Sequence, residues 1–336
     1  MEKHFTQKYL EAFPFSEFTS LEDSSKFLYM YEREGEKKLY LFDREKHSSL
    51  EEGELFSNID FNMRSCRPLR VLNDKLYLIS DRDNQENFNI FSIDVKTKEI
   101  NQITSNEYTA CIHITDEGIA FFSSRQKNEV GLFRNDIYSL DLSNGESKFI
   151  INDEDDEYRV GWGRVIPSKN KEYLILNVDR NNERTNNNFS LVNIKEGTKE
   201  VIIPKEFESG LFYLLENEVD TEVGFYFVSD KSGYENLYYY DFIEKKVLKL
   251  TNVNYLTDGF DYNVSEGIRY FISTIKRPNE GKTSILTYKE EFPGQIRQLD
   301  CDLTLDGEIS FSTYNKDFIW IGESHHGKLQ REVYIS

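Results

Sequence analysis

The chain has 336 residues, a formal net charge of −19, and an aromatic content carried by 25 Phe and 21 Tyr against 2 Trp. So acidic an exterior argues against nucleic acid and anionic membrane surfaces as partners, because both are gripped by clustered Lys and Arg. No apolar run approaches the roughly 20 residues that span a bilayer, and the start, Met1-Glu2-Lys3-His4-Phe5-Thr6, lacks the apolar core of a secretory signal; the expectation is a cytoplasmic protein with Cys66, Cys111 and Cys301 as reduced thiols.

In chain order, Phe5, Tyr9, Leu10 and Phe13 fall at helix-like intervals, although Phe5 to Leu10 reads equally as a strand. Further on, Leu76-Tyr77-Leu78-Ile79-Ser80-Asp81-Arg82 is followed by Ile90-Phe91-Ser92-Ile93-Asp94 and by Ile100-Asn101-Gln102-Ile103-Thr104. Ala110 to Thr115 reads as a strand whose His113 is expected in the core. Asp153-Glu154-Asp155-Asp156-Glu157 is an acidic run without the alternating ligands and turn glycine of a calcium loop, and reads as a solvated connection. Trp162 between Gly161 and Gly163 reads as a packing residue at a close backbone approach. Asn181 to Asn188 predicts a long polar hairpin loop. The earlier pattern then returns as Phe225-Tyr226-Phe227-Val228-Ser229-Asp230-Lys231, Leu237-Tyr238-Tyr239-Tyr240-Asp241 and Val247-Leu248-Lys249-Leu250-Thr251.

Placing the whole chain in register with these two copies gives seven anchors, Glu32, Asp81, Ser124, Asp179, Asp230, Ile275 and Glu323, spaced 43 to 55 residues apart. One four-stranded blade of a β-propeller occupies about this length. Within a unit, the second strand is apolar at consecutive positions, as a strand covered on both faces must be. The fourth alternates apolar residues with Lys, Glu, Gln or Asn, as suits an edge that discourages pairing. The sequence therefore predicts an all-β fold, a seven-bladed β-propeller of four-stranded antiparallel blades, with six or eight blades as alternatives. A single domain is expected over 1–336, with blades at approximately 14–56, 57–105, 106–152, 153–204, 205–252, 253–300 and 301–336 behind an N-terminal segment 1–13. The sequence ends at Val333-Tyr334-Ile335-Ser336, inside a third strand, so the last blade is expected to be incomplete or closed by the N-terminal segment.

Units of the form apolar run, Ser-Asp-Arg/Lys, polar turn, Leu/Ile-Tyr-x-x-Asp, Leu/Ile-Thr resemble the TolB-type propeller repeats. They are similar also to the N-terminal propeller of the prolyl oligopeptidase family, above all its acylaminoacyl peptidase and dipeptidyl peptidase branches. The resemblance covers nearly the whole chain and is strongest at 76–104 and 225–251. It implies a propeller that, in that family, restricts which peptides reach an α/β-hydrolase domain holding a Ser, Asp, His triad. The strained G-x-S-x-G turn of such a domain does not occur here. Gly322-Glu323-Ser324-His325-His326-Gly327 comes nearest, but its second glycine falls one place late. No catalytic residue, cofactor or metal is therefore expected in the chain itself.

The residue after each anchor is basic in six units: Arg33, Arg82, Arg125, Arg180, Lys231 and Lys276. The repeat places these at the turn between second and third strands, where a ring of cations in an acidic protein would draw a carboxylate, a phosphate or an acidic partner. Against this, a repeated unit repeats its turn chemistry, and each cation has a local acid to pair with. The leading expectation is a non-catalytic module of a prolyl-oligopeptidase-like serine peptidase that gates peptide access and binds substrate or the hydrolase domain. The alternatives are a free-standing TolB-like scaffold binding another protein or peptide, and, more remotely, a metal-dependent propeller lyase. For the lyase, His325 and His326 beside Glu323 supply ligand types, but neighbours along a strand point to opposite faces.

Overall fold

The computed structural model describes residues 15–335 apart from 22–24, 34–35, 58–65, 82–86, 107, 128–132, 154–156, 182, 184, 258, 266, 278–281, 300–303, 315–316 and 325–330. The fold is all-β. The first sheet holds β1 (Phe15–Ser20), β2 (Lys26–Arg33), β3 (Glu36–Asp43) and β4 (Glu54–Ser57), and the second β5 (Arg67–Leu72), β6 (Lys75–Ser80), β7 (Asn89–Asp94) and β8 (Ile100–Gln102). The third holds β9 (Thr109–Ile114), β10 (Ile119–Lys127), β11 (Phe133–Asp141) and β12 (Ser147–Asn152). The fourth is β13 (Tyr158–Pro167), β14 (Tyr173–Arg180), β15 (Asn187–Asn193) and β16 (Thr198–Val201), and the fifth β17 (Phe212–Leu214), β18 (Gly224–Ser229), β19 (Asn236–Asp241) and β20 (Lys246–Lys249). The remaining strands are β21 (Phe260–Ser265), β22 (Ile268–Arg277), β23 (Lys282–Phe292), β24 (Gln295–Leu299), β25 (Thr304–Tyr314), β26 (Asp317–Ser324) and β27 (Arg331–Ile335). The chain divides into two compact units, one of Met1–Ala120, Ser124–Gln126 and Leu140–Ser147, the other of Phe121–Ser123, Lys127–Ser139 and Lys148–Ser336. Among the described residues no helix is long and apolar enough to cross a membrane.

These last strands correct the expected blade count. The described residues form six sheets, not seven, because β21 to β27 share one. The cause lies in the length of β23. Its second half pairs with β24, from Thr287 opposite Leu299 to Phe292 opposite Gln295, while its first residues, Lys282 to Ser284, pair with Asp306, Leu305 and Thr304 of β25. The first thirteen residues, proposed to close the last blade, lie outside the described residues.

Consecutive apolar residues in the second and third strands divide between two cores, since successive side chains of a strand point to opposite faces. Phe225, Phe227, Tyr238 and Tyr240 pack with Ile166, Ile175 and Phe189 of the fourth sheet. Their neighbours Tyr226, Val228, Leu237 and Tyr239 pack with Phe260, Phe271 and Tyr288 of the sixth. In the first unit, Leu28, Met30 and Leu39 meet Leu76, Leu78, Phe91 and Ile93. Phe225, Phe227 and Leu76 are at most 1 % exposed, and burying each such side chain contributes about 2 kcal/mol.

Side-chain hydrogen bonds close the second, fourth and fifth sheets at both ends and the third at one. At the turn between third and fourth strands, Asp94 Oδ1 accepts from the amides of Lys96 and Thr97, and Asp241 Oδ1 from those of Ile243 and Glu244. Asp141 and Asn193 make the same kind of turn, which is the local chemistry Asp and Asn favour. At the opposite end a buried Asn opens the third strand. Asn236 Oδ1 accepts from Thr251 Oγ1 (3.0 Å) and Val253 N (2.7 Å), and its Nδ2 donates to Ser232 Oγ and the carbonyls of Tyr234 and Val253. Asn89 repeats this with Thr104 and Asn106, and Asn188 with both backbone groups of Ile203.

Candidate functional site

Of the six basic residues, Arg33 and Arg180 end the second strands of their sheets, Arg125 and Lys276 lie within theirs, and Lys231 stands two places past its own. Arg33 ends β2, its side chain outside the described set, and Arg82 lies outside the described residues. Arg125 of β10 sits over the Tyr108 ring, 4.8 Å from its centroid, and Tyr108 meets Phe88 edge to face at 5.4 Å. The Lys276 backbone amide donates to the Leu256 carbonyl at 2.8 Å. Arg180 and Lys231 converge on one residue, Glu208. Arg180 Nε donates to Glu208 Oε2 at 2.8 Å, and Lys231 Nζ to the Glu208 carbonyl at 3.3 Å.

Glu208 organises this corner. Its side chain is 3 % exposed and also accepts from the Tyr158 hydroxyl (2.6 Å) and Asn188 Nδ2 (3.1 Å). Burial acts to raise its carboxyl, but the bonds from Tyr158, Arg180 and Asn188 outweigh burial and hold it below the ordinary range. Burial and the adjacent carboxylate push the Tyr158 hydroxyl upward. Arg180, 28 % exposed, is thus fixed at the surface by a buried anion. Glu208 and Tyr158 escape sequence reasoning because neither recurs from unit to unit.

A second polar centre lies near the start of the second strands of the fifth and sixth sheets. Glu216, between β17 and β18, accepts from Arg269 Nη2 at 2.9 Å and from the Tyr226 amide at 2.9 Å. Arg269 Nη1 lies 3.2 Å from both oxygens of Glu290. The Tyr226 hydroxyl donates to Glu290 and accepts from the Gly294 amide at 2.9 Å. Burial pushes the Glu216 carboxyl up to about 7, against the opposing pull of Arg269. The sequence gives no signal for this centre, whose residues sit at unrelated positions of their units.

The other residues singled out in the sequence have structural partners or fall outside the described set. Asp153 is buried and accepts from Asn135 and the Val160 amide. Gly161, Trp162 and Gly163 fall in the register shift of β13 between Val160 and Val165. His113 is buried in β9. Gly322 to Ser324 belong to β26 rather than to a strand-to-helix turn, and His325 and His326 lie outside the described residues. Among the described residues no three His, Cys, Asp or Glu side chains gather as metal ligands do.

Residues 126–323 match the family described as the dipeptidyl peptidase IV (DPP IV) N-terminal region. No curated protein matches the chain in sequence. Among solved structures, the chain is similar to the acylaminoacyl peptidase of Pyrococcus horikoshii, with a TM-score of 0.61 and 13 % identity over 98 % of this chain and 52 % of that one. The β-propeller domain of the trilobed protease from Pyrococcus furiosus, of open velcro topology, aligns with a TM-score of 0.58 and 13 % identity over 96 % of this chain and 92 % of that domain. An oligogalacturonate lyase in complex with manganese gives 0.58 and 14 % over 96 % and 81 %. The chain spans about half the length of the acylaminoacyl peptidase it resembles. With the family matched over more than half of the chain and the fold shared with these structures, the protein belongs to the dipeptidyl peptidase IV N-terminal region family, and its fold is a β-propeller of the prolyl oligopeptidase type.

Proposed function

We propose that this chain is the non-catalytic propeller module of a prolyl-oligopeptidase-type serine peptidase, limiting which peptides reach an α/β-hydrolase domain and contacting that domain or the peptide. The observation that carries this reading is the family match across 126–323. It is supported by the alignment of nearly the whole chain with half of an acylaminoacyl peptidase. A rigid ring with a narrow channel would admit short extended peptides and exclude folded chains. The basic side chains Arg33, Arg82, Arg125, Arg180, Lys231 and Lys276 are the proposed contact residues. The anchoring of Arg180 on Glu208 favours such a role, since a pre-positioned guanidinium loses less freedom on meeting a carboxylate.

Purification of the protein from its own cells under native conditions, with a serine-directed fluorophosphonate as probe, tests this. The expected result is a labelled hydrolase domain, in the same polypeptide or bound to it, and no label on the isolated 336-residue protein. Recovery of an unaccompanied chain with no reactive hydrolase refutes the proposal and favours a free-standing scaffold. Stoichiometric bound divalent metal refutes it in favour of a lyase.

A further inference from the structure

We propose that Glu216, Arg269, Glu290 and Tyr226 form a proton-operated clasp between the fifth and sixth sheets, closed while one carboxyl carries a proton and loosened when both are ionised. The argument starts from a count of charges. Two carboxylates, 3 % and 9 % exposed, share the single guanidinium of Arg269. When both are ionised the cluster carries one uncompensated negative charge away from water, and low-dielectric surroundings make that costly. One proton removes it.

The contacts that depend on this balance run from sheet to sheet. Arg269 of β22 reaches Glu216 of the β17–β18 connection, and Tyr226 of β18 reaches Glu290 of β23 and the Gly294 amide beyond it. Lys169 exerts a lesser pull on Glu216 than Arg269 does, and it acts against the like charge of Glu290. Tyr239 on β19 and Tyr262 on β21 present phenols that burial pushes further from ionisation. Lys169, after β13, pairs with Asp220 at 3.1 Å, and Arg164 of β13 donates to Asn217 Oδ1 at 2.7 Å. With Glu216 pushed up to about 7 by burial, the proton exchanges near neutrality. Opening the clasp hydrates the carboxyl and returns it toward its ordinary 4.5, so the closed state holds the proton more tightly and rising pH favours the open one. Linkage between those two values makes opening about tenfold more favourable at pH 8.5 than at pH 6.

The test is hydrogen exchange of the wild-type protein at pH 6 and pH 8.5, each corrected for intrinsic exchange rates. Protection of the Tyr226 and Gly294 amides should fall about tenfold at the higher pH, while that of Leu174, in the middle of the fourth sheet, stays constant. Glu216→Gln, which is neutral at every pH, should abolish the difference. Equal protection at both pH values in the wild type overturns the proposal, as does a pH effect that survives in Glu216→Gln. Should that variant not fold, carbon-detected titration of Glu216 in the wild type decides, and an apparent pKa below 5 overturns the clasp. None of these outcomes bears on hydrolase association, so the clasp and the peptidase reading fail separately.

Discussion

Replacing Asn236 by Ala probes the bond set that closes a repeat unit. The side chain is fully buried; its two amide protons are shared among Ser232 Oγ and the Tyr234 and Val253 carbonyls, and its Oδ1 accepts from Thr251 and Val253. Each bond is worth about 1 kcal/mol net, and a buried partner left unpaired costs about 1–3 kcal/mol. Of the abandoned groups, Thr251 Oγ1 still accepts from the Leu237 amide at 2.9 Å, which limits the damage on that side. The Val253 amide and carbonyl and the Tyr234 carbonyl lose a partner, giving an expected loss of about 3–4 kcal/mol. Urea unfolding followed by Trp fluorescence measures it, with an unchanged m-value identifying a stability effect. Asn144, exposed and bonded to Asp141 and Glu146 in the turn after β11, provides the control, since Asn144→Ala should stay within about 0.5 kcal/mol. A cost for Asn236→Ala no larger than the control would refute the idea that this buried amide fastens the third strand to the chain beyond the fourth.

Two further predictions follow from the glycines and from Glu208. Gly145→Ala and Gly294→Ala meet the same backbone penalty, about 1 kcal/mol at positive φ, because φ is +77° and +74°. An added Cβ at Gly145 meets nothing within 4 Å, whereas at Gly294 it lies 2.8 Å from Tyr239 Cδ1, so thermal unfolding should fall clearly further for Gly294→Ala. Because the Glu208 carboxyl is held below its unfolded value of 4.5, its contribution to stability is present above that pH and is lost as pH falls through the lower folded value. Arg180→Met should therefore move the acid-unfolding midpoint to higher pH by circular dichroism, and an unmoved midpoint contradicts the pairing.

The apolar runs at 76–79 and 225–228 were legible because a strand covered on both faces abandons alternation, and the structure divides those side chains between two cores. The anchors were legible as pattern but not as chemistry. Asp230 Oδ1 accepts from the Leu211 amide, and Ser229 Oγ meets Ser209 Oγ at 2.7 Å, so the Ser-Asp pair ties the end of the second strand to the entry of the first. Asn89 and Asn236 escaped notice because the turns before them differ in length, although both stand 15 residues before the threonine they bind. Glu208, Glu216, Arg269 and Glu290 were not legible at all. Their contacts, Glu208 with Tyr158 and Arg180, and Arg269 with Glu216 and Glu290, are each formed once, and a search for similarity between units is blind to such contacts. The number of sheets depended on how far β23 extends, which is decided by backbone pairing rather than by side-chain type.

The long strand β23 also couples the tail of the chain to the body of its sheet. Lys282, Thr283 and Ser284 exchange backbone partners with β25, while the far half of the same strand serves β24 and Lys282 to Lys289 pair with β22. Peeling away residues 304–335 would strip those three positions of their outer neighbour and bare the start of a strand whose later stretch, Thr287 to Lys289, lies between β22 and β24. Repeats that end in separate sheets can be shortened one at a time; here the last two are welded, and trimming one wounds the other.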